Sequence, residues 1–532
     1  MNNDTITAIA TGLKAAGISI IRISGDEAFD IADRIFRSKS GITVNEMKTF
    51  TVSYGHIISN PSKNEKVDSK EEQYEIIDEV LLIKMAAPST YTRENIVEID
   101  CHGGITVTKD VLKAVMATGA RLAEPGEFTK RAFLNGRIDL TQAEAVSDLI
   151  ASDSEAAVRN SIRQLNGNIR DKISELRNEL LTKTAYIEAA LDDPEHISLD
   201  GFDSELSTTI ERVYFEIRKL IGTFDNGRII RNGINTVILG SPNVGKSSLM
   251  NRLLGTDRAI VTDIPGTTRD TLSESVIIGS GSNGSDISTL GTNGIKLNIV
   301  DTAGIRETDD VIEKIGVDRA RKAADEADLI LFVIDTTRTG LSEAEKEELK
   351  EIHDKNAIIL LNKSDAITDF DISALIDEFS SLTNRRIIIS NTGIDIHDID
   401  PDKKVQSDPH PVTNKGYESA KKAGRSEIPI IQISAKTGEG MEALETCISN
   451  MFFNEIIDSD DNIYISNLRH KELLDKAAKS LENVRSAIEQ GLSEDFYTID
   501  LMDAYTSLGL ITGEHVEDEL ADKIFKEFCM GK

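Results

Sequence analysis

The stretch GSPNVGKSS, residues 240–248, carries residue types that can hold a phosphate. It follows the apolar run TVILG and precedes SLMNRLLG, the strand-then-helix setting that the P-loop pattern requires. Glycines there let successive backbone N–H groups wrap phosphate oxygens. Lys246 is expected to reach the β- and γ-phosphates and the Ser247 hydroxyl to bind Mg2+, with Asn243, Val244, Gly245 and Ser248 completing the loop. DTAG, 301–304, follows the strand-like LNIV. Asp301 there fits a Walker-B carboxylate holding Mg2+ through water, and Gly304 can offer its N–H to the γ-phosphate, with Thr302 and Ala303 between them. NKSD, 362–365, follows AIILL. A carboxylate at Asp365 accepts from guanine N1–H and N2–H together, a pair of donors that adenine lacks. Asn362 then faces the base edge, Lys363 covers the ring, and Ser364 lies between Lys363 and Asp365. SAKTGEG, 434–440, follows the last strand, so Ser434, Ala435 and Lys436 bring backbone N–H groups near guanine O6. SNTG at 390–393 also follows an apolar run, but SAK is the closer match to the base-binding pattern.

These four motifs occur in the order found in translation-factor-like GTPases, which they resemble, and GTP is the expected ligand. One expected part is replaced. Ras-like proteins carry a glutamine after DTAG that orients the attacking water. Here the residue is Ile305, which cannot hydrogen-bond water. The segment TDIPGTTRD, 262–270, offers other parts, with Thr268 placed to bind Mg2+ when GTP is present. At the far end the chain closes on IFKEFCMGK, 524–532, which puts Cys529 among the last four residues. Lys526 and Lys532 are placed to lower its pKa and raise its thiolate fraction.

The phosphate and base motifs need a sheet to hold them. NTVILG, IKLNIVD, DLILFVID, NAIILLN and IPIIQIS are apolar runs of strand length from residue 235 on, alternating with helical or glycine-rich stretches. That is the pattern of a mostly parallel sheet covered by helices. GSGSNGSDISTLGTNG, 279–294, reads as a hairpin-like insertion, and 366–426 is long and polar enough to hold extra elements. Upstream, ISIIRISG (18–25) and EVLLIKM (79–85) read as strands, 64–73 as a charged loop, and 103–120 as a strand-to-helix passage ending at a glycine. From Asp139 the period becomes helical. Thr141 and Glu144 have the spacing of a capping box, and Ile162, Leu165, Ile169, Ile173, Leu176 and Leu180 fall on one face of a single long helix. After 454 the chain is helical again, with Val516, Leu520, Ile524 and Phe528 in register. Two helical blocks that pack together would leave the sheet domain as an insertion. The expected segments are 1–136, 137–232, 233–453 and 454–532.

At 532 residues the chain is longer than one core usually holds. Its 39% hydrophobic and 28% charged content fit a soluble globular protein. Its apolar runs stay well short of the roughly 18 residues that span a bilayer, and the N-terminus lacks the basic-then-apolar order of a signal peptide. Cys101, Cys447 and Cys529 are too few and too scattered for a disulfide framework or a zinc site, which fits a reducing cytoplasm. Sixty basic against 91 acidic residues give a net charge of −31, against non-specific coating of nucleic acid but compatible with a local basic patch. Salt adaptation is a second reading of the same acidity.

Over essentially its whole length the chain resembles the MnmE (TrmE) family of tRNA-modification GTPases. The carriers are IIRISG (20–25), HGG (102–104), PGEFTKRAFLNGRIDLTQAEAVSDLI (125–150), GSPNVGKSSLMN (240–251), TDIPGTTRD, DTAGIRET (301–308) and the terminal FCMGK. The 26-residue stretch is highly specific by itself; HGG alone is not. The resemblance implies a multidomain α/β plus all-α protein. Its parts would be an N-terminal folate-binding α/β domain that forms a homodimer, a discontinuous helical domain, and an inserted Ras-like P-loop G domain. It further implies K+-dependent GTP hydrolysis driven by G-domain dimerisation. The expected partner is the FAD protein MnmG (GidA), in a heterotetramer or larger complex. Together they would add a carboxymethylaminomethyl group at C5 of the wobble uridine, U34, of certain tRNAs. The one-carbon unit would come from 5-formyl- or methylene-tetrahydrofolate.

Residue by residue, the resemblance assigns K+ to Asn243, Thr262, the Ile264 carbonyl and Thr267, in a loop shared with Asp263, Pro265 and Gly266, and Mg2+ to Ser247 and Thr268. Glu313, in DDVIEKIG, matches the glutamate that organises the attacking water through a second water, which accounts for Ile305. Arg306 and Arg269 match switch-stabilising positions. Folate contacts carry over to Arg22, Glu98, Arg137 and Lys532. Cys529 matches a cysteine needed for modification, as nucleophile, acid/base or structural anchor. Two features depart from the pattern. Arg137 stands where many relatives have lysine, which keeps the charge and changes the geometry. ATGLKAAG, 10–17, stands where relatives typically read ATPPGRGG, beside the expected folate pocket. Two other readings compete: a ribosome-assembly or translation GTPase acting as a binding switch, and a dimeric scaffold with residual GTPase activity. The first has the nucleotide motifs but lacks the N-terminal and terminal-cysteine stretches.

Overall fold

A computed structural model describes residues 4–59, 75–255, 273–278, 294–300, 322–338, 340–351, 355–366, 372–383, 385–389, 427–457, 463–514, 524–526, 528 and 531. The chain divides into two compact units. One comprises Met1–Ala151, Ser161–Ile221 and Arg469–Lys532, the other Ser152–Asn160 and Gly222–Leu468.

Among the described residues of the first unit, seven strands form one sheet: β1 (Ile6–Ile9), β2 (Ile18–Ser24), β3 (Phe36–Ser38), β4 (Thr51–Ile58), β5 (Ile76–Met85), β6 (Ile96–His102) and β7 (Arg121–Leu122), in the order β3-β4-β5-β6-β2-β1-β7. Along β2, Ile21 and Ile23 enter the core while Arg22 points to the other face, as the two-residue period of a strand dictates. Helices Ala28–Ile35 and Ile105–Ala117 cover the core face, burying Ile31, Ile35, Val111 and Val115 against Val97 and Ile99. Helices from before and after the second unit's main segment pack together here. The Arg177 guanidinium of helix Asn168–Asp192 pairs with Glu514 and lies 4.1 Å from the Tyr505 ring of helix Glu494–Thr512.

Two local expectations change. The capping box at the start of helix Leu140–Ala151 is formed by Asp139 and Gln142, not by Thr141 and Glu144. Asp139 Oδ1 accepts the Gln142 N–H (3.0 Å) and the Thr141 hydroxyl (2.6 Å), and Gln142 Oε1 accepts the Asp139 N–H (3.1 Å). Glu144 is instead claimed by the interior, where Arg469 and His470 bond its carboxylate. The single long helix is in fact two, Glu155–Leu165 and Asn168–Asp192. Gly167, at φ +94°, breaks it. Ile169, Ile173, Leu176 and Leu180 are buried as expected, but Ile162 is 43% exposed.

The second unit holds β8 (Ile234–Leu239), β9 (Ser273–Ile278), β10 (Ile295–Val300), β11 (Leu329–Asp335), β12 (Ala357–Asn362), β13 (Arg386–Ile389) and β14 (Glu427–Gln432), in the order β13-β14-β12-β11-β8-β10-β9. Every neighbouring pair is parallel except β9 with β10. Those two pair antiparallel with Ile278 opposite Ile295, so they bracket the glycine-rich stretch. Helix Ile372–Thr383 and β13 are extra elements within the long polar connection. Both faces of the sheet are buried, with Leu331 and Val333 packing to one side and Ile330, Phe332 and Ile334 to the other. Among the described residues, no helix is long and apolar enough to cross a membrane.

Candidate functional site

In the second unit, β8 delivers the chain to Gly240, where a Cβ would lie 2.2 Å from Val333 O. The backbone then passes through Asn243 at φ +63° and Gly245 at φ +105° into helix Lys246–Leu254. These left-handed residues produce the curl that gathers backbone N–H groups at a helix N-terminus, where an anion is favoured. Val244 is fully buried and fixes the loop to the sheet. Lys246 Nζ donates to Gly240 O (2.5 Å) and Ser241 O (2.9 Å), so the ammonium lies across the same curl. Burial pushes its pKa down, against the pull of Glu348 and Glu345. Ser247 and Ser248 occupy the first helical turn.

The base-recognition candidates converge on one buried amide. Asn362, 2% exposed at the end of β12, donates from Nδ2 to Val244 O (2.7 Å). Its Oδ1 accepts the Ala435 N–H (3.0 Å). One side chain therefore ties the phosphate loop to the Ser434–Ala435–Lys436 loop. Ser434 Oγ donates to Asp365 Oδ1 (2.7 Å) and accepts the Thr437 N–H (3.1 Å). Lys363, at φ +70°, places Nζ 2.5 Å from Asp335 Oδ2. Burial alone would raise the Asp335 carboxyl, but Lys363 and Thr337 hold it below its usual range. Ser364 Oγ bonds Glu439 Oε2 (3.2 Å), and Arg252, on the phosphate-loop helix, bonds Lys436 O (3.1 Å). Asp335 and Arg252 carry no motif and were not anticipated from sequence. The loops beyond the carboxyl ends of β8, β11, β12 and β14 thus meet on one edge of the sheet, where open α/β sheets bind ligands.

The remaining nucleotide and cation candidates lie outside the described residues: Thr262, Asp263, Ile264, Pro265, Gly266, Thr267, Thr268, Arg269, Asp301, Thr302, Ala303, Gly304, Ile305, Arg306 and Glu313, with SNTG at 390–393. Among the described residues, no group of three or more His, Cys, Asp or Glu is arranged to hold a metal.

In the first unit, three of the four folate candidates come together. Arg22 and Glu98 are cross-strand neighbours on β2 and β6, and Arg22 Nε donates to Glu98 Oε1 (2.7 Å). The Arg22 guanidinium lies 5.8 Å from the Tyr91 ring and 5.7 Å from the Phe128 ring, and that of Arg137 lies 4.8 Å from Tyr91. Tyr91 and Phe128 were missed in the sequence because no local pattern marks them. Two guanidiniums, one carboxylate and two aromatic faces suit a flat ring bearing negative charge. Lys532 and Cys529 lie outside the described residues. Their neighbour Gly531 is buried at φ +90°, where a Cβ would lie 2.1 Å from Ile9 O.

Two family models match the chain. The MnmE helical domain matches residues 140–529, and the GTP-binding protein TrmE N-terminus matches residues 5–137. A protein of Lachnoclostridium phytofermentans named tRNA modification GTPase MnmE is 49% identical over 100% of both chains. Proteins of the same name are 41% identical in Acetivibrio thermocellus, over 99% of both chains, and 40% identical in Clostridioides difficile, over 100% of this chain and 99% of the other.

Proposed function

The chain belongs to the MnmE family of tRNA modification GTPases, and on that premise we propose that it hydrolyses GTP to drive modification of C5 of the wobble uridine in certain tRNAs. The reading includes a carboxymethylaminomethyl product, a homodimer, and an FAD-containing partner of the MnmG kind. It also includes the four-segment division at 136, 232 and 453 and a cytoplasmic setting. The observation that carries it is the length of the similarity. It runs through the N-terminal sheet and the terminal cysteine stretch as well as the nucleotide motifs. A ribosome-assembly or translation GTPase needs only the motifs.

Within this reading, the phosphate-loop backbone and Lys246 bind the phosphates, and the Asp365 carboxylate selects guanine over adenine. Asn362 keeps the two halves in register through its bonds to Val244 O and Ala435 N. Mg2+ fits the Ser247 hydroxyl in the first helical turn, with Thr268 as the second ligand, and would neutralise phosphate charge. K+ fits a donor set of neutral oxygens, namely the Asn243 amide, the Thr262 and Thr267 hydroxyls and the Ile264 carbonyl. It would supply the positive charge that an arginine supplies in other GTPases. Glu313 would orient the attacking water, in place of the glutamine that Ile305 replaces. A tetrahydrofolate fits the cluster of Arg22, Glu98 and Arg137 around Tyr91, with Lys532 as a fourth contact, and would supply the one-carbon unit. Cys529 would act beside it.

Deletion of the gene followed by mass spectrometry of tRNA nucleosides tests the reading. Loss of the wobble-uridine C5 modification is the expected result, and its persistence at normal levels would end the proposal. Turnover of the purified protein in KCl should exceed that in NaCl severalfold; equal rates would remove K+ from the account.

A further inference from the structure

We propose that Tyr91 is a positioning residue that fixes the Arg137 guanidinium for the ligand of the first unit's cluster, an inference that rests on the folate reading above. Arg137 is exposed, on the turn that follows helix Glu127–Leu134. Among the described residues its guanidinium has no carboxylate or carbonyl partner, and it lies 4.8 Å from the Tyr91 ring. A long, solvated arginine without an anchor samples many rotamers, and a ligand that uses it must first order it. The Tyr91 ring removes much of that freedom, because a cation over an aromatic face is held by the ring's negative quadrupole.

The ring is itself held from three sides. Its hydroxyl lies 2.9 Å from Thr129 Oγ1, and Thr129 is fully buried. Its body packs against the cluster of Phe525 and Phe528 and against the cluster of Ile6 and Phe128. The Arg22 guanidinium, already bonded to Glu98, lies 5.8 Å from the same ring. Tyr91 therefore links an arginine on β2 that is paired with Glu98 to one on a turn that has no carboxylate partner among the described residues, and it offers no hydrogen bond of its own to either. Two guanidiniums and one carboxylate leave the cluster one positive charge in excess, and Arg137 carries it toward an anionic ligand group.

The test is the dissociation constant of 5-formyl-tetrahydrofolate with the full-length protein, in a double-mutant cycle. Tyr91→Phe keeps the ring and should bind within about twofold of wild type. Tyr91→Leu should bind on the order of tenfold more weakly. Arg137→Ala should weaken binding in the wild-type background but change it by less than about twofold in the Tyr91→Leu background, because the ring acts through that arginine. Losses that multiply fully, or a Tyr91→Leu protein that binds as wild type does, would overturn the proposal. If Tyr91→Leu fails to fold, trifluorophenylalanine at position 91 decides. It keeps a ring of similar size but weakens its negative face, so tight binding would refute the role and weakened binding would support it. A wild-type protein that binds no folate would overturn the folate reading and this proposal together, whereas normal wild-type binding with an unaffected Tyr91→Leu protein would overturn this proposal alone.

Discussion

Glu144 is 7% exposed and is bonded by His470 Nε2 (2.7 Å) and by the Arg469 guanidinium (3.0 and 3.1 Å). Arg469 also bonds the carbonyls of Leu510 and Ile511, so these three side chains join three helices of the first unit. Burial by itself would raise the carboxyl's pKa. The attraction of His470 and Arg469 outweighs burial and lowers it from 4.5 to about 2. A carboxylate more acidic in the folded state contributes stability fully above its unfolded value and loses it as pH falls toward its folded value. The window here runs from about pH 4.5 down to about pH 2. Glu144→Gln should cost roughly 3 kcal/mol at neutral pH, because it leaves the partly buried Arg469 guanidinium without its carboxylate. It should also flatten the fall of the urea midpoint across that acid window. A variant whose midpoint tracks the wild type at every pH would show that the cluster is not a source of acid sensitivity.

At the scale of elements, the cap of helix Leu140–Ala151 makes a separate prediction. Asp139→Ala removes the acceptor of the Gln142 N–H and should cost about 1 kcal/mol, whereas Thr141→Ala should cost less. Chemical denaturation of the two variants ranks them; the reverse order would restore the pairing that spacing alone suggests. Both pairings satisfy the capping-box spacing. Nothing local in the sequence tells that the Glu144 carboxylate is needed by Arg469 and His470, more than three hundred positions later. The central strands of the second unit were legible because buried parallel strands are continuous apolar runs, as in LILFVID and AIILLN. The outer strands were harder to read. β9 opens on Ser273 and Glu274, and β13 has four residues inside a polar connection. The nucleotide candidates were legible because each is a contiguous motif with its own backbone requirement, such as the left-handed Gly245. Tyr91 was not, because its partners Arg22, Thr129 and Arg137 approach it from three separate places in the chain.

At the scale of the whole molecule, the two ends of the chain meet within the first unit. Phe525 and Phe528 are buried against Ala132, Leu140 and Ala143, and Gly126, at φ +68°, lets Phe528 approach where a Cβ would lie 2.8 Å from it. Gly531 then packs on Ile9 and Ala10, at the end of β1. β1 runs beside β2 with Ala8 opposite Arg22, so Gly531 lies against the neighbour of the strand that carries Arg22. Phe525, Phe528 and Gly531 flank Cys529 in sequence. Gly531→Ala puts a methyl 2.1 Å from the Ile9 carbonyl oxygen at a left-handed position, so the tail must move. A displacement near 1 Å is enough to lower a positioned reaction on the order of a hundredfold. Under the proposed function, tRNA modification by Gly531→Ala should therefore fall by about that factor, measured by nucleoside mass spectrometry in a strain carrying only the variant. GTP turnover should stay within about twofold of wild type, since the nucleotide candidates belong to the other unit. Normal modification by this variant would mean that the tail's place on β1 does not matter. Loss of both activities with an unchanged melting temperature would mean that the terminal segment also governs hydrolysis, and the division of labour between the units would have to be redrawn.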